Sequence, residues 1–188
     1  MICEEFDLGI DLFPRRRNDL IRSEGVHLTE IIRDIMETTG MSKTQSGGGW
    51  ASKQLDMAAE VGFMWEELLS QVLKERLPCR LGEIKLDGIS MSPDGVDIED
   101  SDMFLCEYKC VWASSRHSPA DNWKWMTQVK GYCKALGVAR VKMFILYLNG
   151  GWDGKGPDWK GYVLTFTPLE IQENWSMIIN HAKHKGWI

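Results

Sequence analysis

The 188-residue sequence predicts an α/β fold, a mixed β-sheet flanked by helices. Three observations carry this. Helix-like and strand-like apolar segments are interleaved in the order α, α, β, β, β, α, β, β, α. Two of the helical segments place Pro behind a Ser or Thr, at Ser118-Pro119 and Thr167-Pro168. Gly, Pro, Asn, Asp and Ser cluster at the boundaries.

The elements follow in order. Residues 1–26 show no period and hold a basic cluster, Arg15 to Arg17. In "HLTEIIRDIMETTG", Leu28, Ile31, Ile32, Ile35 and Met36 share one helical face, and Gly40 supplies the stop. "MSKTQSGGGW" reads as a loop. A longer helix is expected from Ser52 to Arg76, where Leu55, Ala58, Ala59, Gly62, Trp65, Leu68, Leu69, Val72 and Leu73 keep a 3.6-residue rhythm before Pro78. Leu81 to Met91 is expected to be a strand, with two more inside "VDIEDSDMFLCEYKCVW". One helix is expected from Ser118, its cap, to Gly137, its stop. "RVKMFILYLN" reads as a buried strand and "YVLTF" as its returning partner. "TPLE", Thr167 to Glu170, is a capping box that opens the last helix. His181 and His184 near its end are expected at the surface.

Composition narrows the function classes. At 44% hydrophobic and 26% charged the chain reads as soluble and globular. Without an apolar run long enough to span a bilayer, no membrane segment is expected, and the acidic first 25 residues do not resemble a signal peptide. Five cysteines with no C-x-x-C pair argue against a zinc ribbon or a disulfide framework and favour a reducing, cytoplasmic setting. The net charge of −5 is unevenly spread. Residues 1–108 carry 11 basic against 22 acidic side chains, whereas residues 109–142 carry seven basic ones against Asp121 alone. A positive segment beside an acidic pocket suits a polyanion that must approach bound metal ions.

The densest chemistry lies in "SMSPDGVDIEDSDMFLCEYKCVW". "EDSD" is turn chemistry. A two-residue loop at Asp100 and Ser101 makes Glu99 face Asp102 and Asp94 face Glu107. Facing residues share one side of a sheet, with Cβ atoms about 4.5–5.5 Å apart. Lys109 joins that side by strand alternation, while Cys106, Tyr108 and Cys110 point to the other, expected to be the core side. Paired carboxylates chelate a hard divalent cation such as Mg²⁺, which generates a nucleophile from water near neutral pH. Lys109 is suited to orient that water or to stabilise developing negative charge.

These residues, Pro93-Asp94 followed by Glu107-x-Lys109, resemble the PD-(D/E)XK nuclease motif. "SPDG" followed by "E-x-K-C" is similar to the phage lambda-type exonuclease branch of that superfamily. Upstream, Gly62 to Glu66 ("GFMWE") resembles the branch's helical G-x-x-x-E motif, with Glu67 and Glu60 as competitors for the acidic role. Downstream, Gln128 and Tyr132 in "QVKGY" resemble the Q-x-x-x-Y motif of RecB-type and phage exonucleases. The resemblance covers roughly Gly62 to Tyr132. It departs from some relatives in lacking a clear extra acidic residue before "SPDG", where Glu83 and Asp87 are nearest.

The resemblance implies a restriction-endonuclease-like fold. Residues 51–188 would form the nuclease core, and residues 1–50, which match no family pattern, are expected to be an N-terminal arm and helix within the same unit. The resemblance implies a DNA exonuclease of phage-type recombination or replication using Mg²⁺, with Mn²⁺ as a substitute. Asp94, Glu107 and Glu66 would hold the metal, Lys109 would assist the attacking water, and Gln128 would contact Lys109 or that water. Tyr132 would touch DNA or brace the site. Lys124, Arg116, Trp112 and Trp123 interleave aromatic and basic groups in the manner of nucleic-acid binding, while Trp125 fits the helix's apolar face. Double-stranded DNA with a free end, a homo-oligomeric state and a single-strand annealing protein are the implied partners. The alternatives are a structure-specific or restriction-like endonuclease and a catalytically inactive nucleic-acid-binding protein.

Overall fold

Burial alternates residue by residue along Arg140–Tyr147, the strand around which the protein is organised. Val141, Met143, Ile145 and Tyr147 are buried on one side, as a period-two strand under a helical layer requires. The structure, a computed structural model, describes residues 24–41, 61–62, 64–65, 81–112 and 114–188. Its elements are α1 (Leu28–Thr38), β1 (Ile84–Leu86), β2 (Ile89–Met91), β3 (Gly95–Glu99), β4 (Asp102–Val111), α2 (Trp123–Leu136), β5 (Arg140–Tyr147), β6 (Asp158–Thr165) and α3 (Pro168–His184). The fold is α/β, with a mixed sheet flanked by helices.

The main sheet runs β3-β4-β5-β6. β3 and β4 are antiparallel, β4 and β5 parallel, β5 and β6 antiparallel. The parallel step needs a crossover, and α2 provides it. Leu28, Ile31, Ile32 and Ile35 of α1 pack with Val129 and Tyr132 of α2 and Trp175 and Ile178 of α3 against Leu105, Met143 and Ile145. Each such buried aliphatic side chain contributes about 1.5–3 kcal/mol. α1 therefore belongs to the same core as α2 and α3.

Local chemistry explains the boundaries. Thr167 caps α3 by accepting from Glu170 N at 3.2 Å, while Glu170 Oε2 accepts from Thr167 N at 2.8 Å. Gly137 ends α2 in the left-handed region at φ 68. Asp100 and Ser101, at φ 49 and φ 71, form the two-residue turn between β3 and β4, the backbone twist that tight hairpins favour.

Four expectations are corrected. Leu81 to Met91 is not one strand but the hairpin β1–β2, turned by Asp87 and Gly88 at φ 49 and φ 83. The segment from Ser118 is not one helix: Pro119–Asp121 is a 3₁₀ turn capped by Ser118, and Asn122 leaves helical geometry to cap α2 afresh. Cys106, Tyr108 and Cys110 do not face the principal core. They form a smaller cluster with Trp65, Phe144 and Leu146, because α1, α2 and α3 all cover the opposite side of the sheet. β6 also starts earlier than expected, at Asp158. Residues 61–62 and 64–65 are helical, and the rest of the helix expected over Ser52–Arg76 lies outside the described residues, as does Arg15 to Arg17.

Candidate active site

The β3–β4 ladder runs from Glu99↔Asp102 to Gly95↔Cys106, the register that a two-residue turn dictates. Asp94 precedes this ladder by one residue and Glu107 follows it by one, so the two carboxylates stand at facing positions. Asp94 Oδ2 accepts a hydrogen bond from Tyr108 N at 2.7 Å.

Glu107 is 2% exposed although it is a carboxylate. Its Oε1 accepts from Lys109 Nζ, whose side chain is 18% exposed. The same ammonium donates to Gln128 Oε1 at 3.1 Å, and Gln128 Nε2 donates to Tyr132 Oη at 2.9 Å. Sheet and α2 are thus joined by a polar chain, Glu107–Lys109–Gln128–Tyr132. Gln128 and Tyr132 reach it because residues four apart share one helix face. Tyr132 is 3% exposed.

Glu107 Oε2 is buried with no hydrogen-bond partner among the described residues. A buried carboxylate oxygen is costly without a positive or donating partner. With Asp94 opposite, the donor set is two hard oxygens, the chemistry that suits Mg²⁺. Among the described residues no group of three or more His, Cys, Asp or Glu side chains could hold a metal ion. Glu66, Glu60 and Glu67, the candidates for a further carboxylate, lie outside the described residues. Trp65, beside them in the chain, packs at a ring-centroid distance of 6.0 Å from Trp159 and lies in the cluster with Cys106 and Tyr108.

The region before the carboxylates contains residues that the sequence did not single out. His27, Thr29, Ser90 and Ser92 line a cavity of about 180 Å³ with Gln128 and Tyr132. Ser92, immediately before Pro93-Asp94, carried the one local signal; the others come from separate elements. Glu83 Oε2 lies 3.7 Å from His27 Nδ1, and Asp87 Oδ2 accepts from Trp175 Nε1 at 2.9 Å. Both acids that stand nearest before Ser92-Pro93-Asp94 therefore have structural partners.

The aromatic and basic candidates divide. Lys124 lies one turn before Gln128 on α2. Desolvation, then the like charges of Lys109 and Arg33, hold its ammonium below the usual lysine range, though its exposed position lets solvent screen much of that effect. Trp123 and Trp125 are half-buried against the main core. Trp112 is 44% exposed just past β4. Arg116 is exposed on a pinned loop: Ser115 N donates to Gly150 O at 3.0 Å, Lys160 Nζ donates to Ser115 O at 2.8 Å, and the Ser115 hydroxyl bonds to Asp158. Arg116 thus sits beside the β5–β6 loop, close to Gly151, while its neighbours Ser114 and His117 share a cleft with Lys124.

On the other side of the sheet, Lys142 lies 2.6 Å from Asp97 and 2.5 Å from Glu99, and Arg140 2.6 Å from Asp102. These pairs neutralise the acids of β3 and β4 that do not face the site. His181 is not simply a surface residue; it is half-buried, 2.6 Å from Asp34. Among the described residues no helix is long and apolar enough to cross a membrane.

No protein-family model matches the chain, and no curated protein matches it. Solved structures do. The chain is similar to LHK-Exo in complex with dAMP, at 14% identity and TM-score 0.57, over 85% of this chain and 87% of that one. The structure of the same alkaline exonuclease from Laribacter hongkongensis matches at 13% identity and TM-score 0.56, over 85% and 87% of the two chains. A protein designated SSO0001 matches at 13% identity and TM-score 0.50, over 88% and 77%. The fold is therefore one that an alkaline exonuclease also adopts.

Proposed function

We propose that the chain is a Mg²⁺-dependent deoxyribonuclease acting as an exonuclease. The observation that carries this is the lysine bridging a buried glutamate and a helical glutamine, with a second carboxylate at the facing register position. The likeness to a solved alkaline exonuclease, and that protein's complex with dAMP, support the same reading. When bound, Mg²⁺, or Mn²⁺ in its place, supplies Lewis-acid charge and a nucleophile from water.

The chain's own residues do the rest. Asp94 and Glu107 would hold the metal, with Glu66, which the sequence motif singles out, as the further carboxylate. Lys109 stands beside Glu107, where its ammonium donates to an attacking water or to phosphoryl oxygens as negative charge builds. Gln128 positions Lys109, and Tyr132 fixes Gln128. Lys124, Arg116, Trp112 and Trp123 are the groups proposed to meet duplex DNA that has a free end. A homo-oligomer, an annealing partner and a role in phage-type recombination or replication complete the proposal.

The test is degradation of end-labelled linear duplex beside covalently closed circular duplex, with Mg²⁺, with Mn²⁺ and with EDTA. Metal-dependent loss of the linear form alone supports an exonuclease. Cutting of the circle turns the reading to an endonuclease, since fold does not fix which bond is cut. Binding without turnover turns it to an inactive DNA-binding protein.

A further inference from the structure

A cleft of about 490 Å³ opens between the end of α1 and the start of α2, lined by Met36, Trp123, Lys124, Trp125 and Tyr147, with His117 on its loop side. Its place relative to the polar chain is fixed by strand register. On β4 and β5 the facing pairs Glu107↔Met143, Lys109↔Ile145 and Val111↔Tyr147 follow one another along the same sheet face. Tyr147 therefore lies one row past Lys109, roughly 7 Å along the strand. Lys124 lies one turn before Gln128, about 6 Å along α2. Both measures put the cleft one step from the lysine, on the scale of one nucleotide of an extended strand.

The lining suits a nucleotide. The cleft is within the size range of small-molecule sites, whose walls are largely apolar with few polar groups. Met36, Trp123 and Trp125 supply apolar and aromatic surface, and every base has a π-face to set against it. Among the described residues of the lining, Asp121 is the one acid, against Lys124 and His117. The capping groups are already engaged: Ser118 Oγ accepts from Ala120 N and Asn122 Oδ1 from Trp125 N, each at 3.2 Å. Among the described residues of the lining, Lys124 is left as the exposed lysine, one turn from Gln128.

We infer that this cleft is a subsite for the nucleotide next to the scissile phosphate, its base against Trp123, Trp125 and Met36 and its phosphate on Lys124. The inference rests on the nuclease reading above and adds a place where the substrate strand is held. It makes cleavage depend on a base at one defined position, whatever that base is, because stacking is sequence-tolerant.

The experiment uses oligonucleotide duplexes in which a tetrahydrofuran abasic unit replaces either nucleotide flanking the scissile bond. With the wild-type protein, KM should rise about tenfold for one of the two positions, the scale of one lost base–aromatic contact. Trp123→Ala should raise KM on intact duplex by about the same factor and become indifferent to the abasic unit. Because Trp123 also packs on the core, Lys124→Ala is the second variant. It should raise KM, and its logarithmic dependence on salt should be shallower by about one unit. Indifference of the wild type to both abasic positions, with normal cleavage of intact duplex, overturns the subsite and leaves the nuclease standing. An unchanged KM and salt slope in Lys124→Ala also overturns it. No metal-dependent cleavage of any duplex overturns both.

Discussion

Tyr108 N and Asp94 Oδ2 are 2.7 Å apart, a hydrogen bond that ties one carboxylate to the backbone of the strand carrying the other. The acid that opens β3 is thereby aimed at the neighbourhood of Glu107 by main-chain geometry. The same strand then presents Lys109, so one hairpin carries both acids and the lysine.

Lys109→Ala should lower kcat on linear duplex by about 10²- to 10⁴-fold, the range for removing a group that acts on the transition state, while leaving duplex affinity nearly unchanged. Rates on end-labelled duplex together with a filter-binding isotherm measure both. Retained turnover would remove Lys109 from the mechanism.

Glu107 should reveal the metal without any assay of cleavage. A ligand held only by the folded state, at a hundred times its dissociation constant, adds about 2.7 kcal/mol of stability. For a domain of this size that is a rise in Tm of roughly 5–10 °C. The wild type should show such a rise with Mn²⁺ or Mg²⁺ in differential scanning fluorimetry, and Glu107→Gln should not. Equal shifts in the two proteins would place the metal elsewhere.

Gln128→Ala and Tyr132→Phe separate positioning from contact. Loss of the 3.1 Å bond to Lys109 should cost Gln128→Ala about tenfold in kcat with little change in KM. Tyr132→Phe removes the hydroxyl that accepts from Gln128 Nε2 and should cost less. Steady-state kinetics on one oligonucleotide decide the order; a larger effect at Tyr132 would mean that it touches substrate.

Gly131→Ala should destabilise the protein although alanine is the better helix former. A Cβ there would stand 2.7 Å from Leu28 Cδ2, which is buried where α1 crosses α2. The helix preference gains about 1 kcal/mol at most, and overpacking costs about 1–3 kcal/mol. Urea denaturation measures the balance, and a more stable variant would show that Leu28 moves aside.

The Asp34 cluster makes a pH-dependent contribution away from the site. Its carboxyl is held below the ordinary 3.8, first by the hydrogen bond from Lys185 and then by that from His181. A depressed folded-state pKa stabilises above the unfolded value and is lost as pH falls through the folded one. Asp34→Asn should therefore lower Tm near neutral pH, with the difference from wild type shrinking below pH 3.8. A difference that is constant with pH would assign the loss to packing.

What the sequence made legible was local and paired. "EDSD" and the alternation after it predicted the β3–β4 register, and the structure has it. "TPLE" predicted the α3 cap, and Gly137 the end of α2. Asp87-Gly88 carried a hairpin signal as strong as Asp100-Ser101, but the strands on either side are three residues each, too short for alternation to show. The break at Asn122 was hidden because Asn serves equally as a helix cap and as a tolerated helical residue. Which sheet face holds the principal core depends on where three helices pack, and that is tertiary information. The cavity around His27, Ser90 and Ser92 was hidden for the same reason: its members come from separate elements that meet only when α1 reaches β2.

Those separations along the chain also order events in time. Asp94 and Tyr108 are 14 residues apart, Lys109 and Gln128 are 19, and Lys160 and Ser115 are 45. Closing a short hairpin loop is entropically cheaper than docking a crossover helix to make a parallel strand pair. The acid-bearing hairpin is thus expected to form early in folding, and Lys109 to find Gln128 only after α2 has docked. A nascent or partly unfolded chain would hold its two carboxylates in register before its lysine is fixed, and would complete the proposed catalytic set only in the last stage of folding.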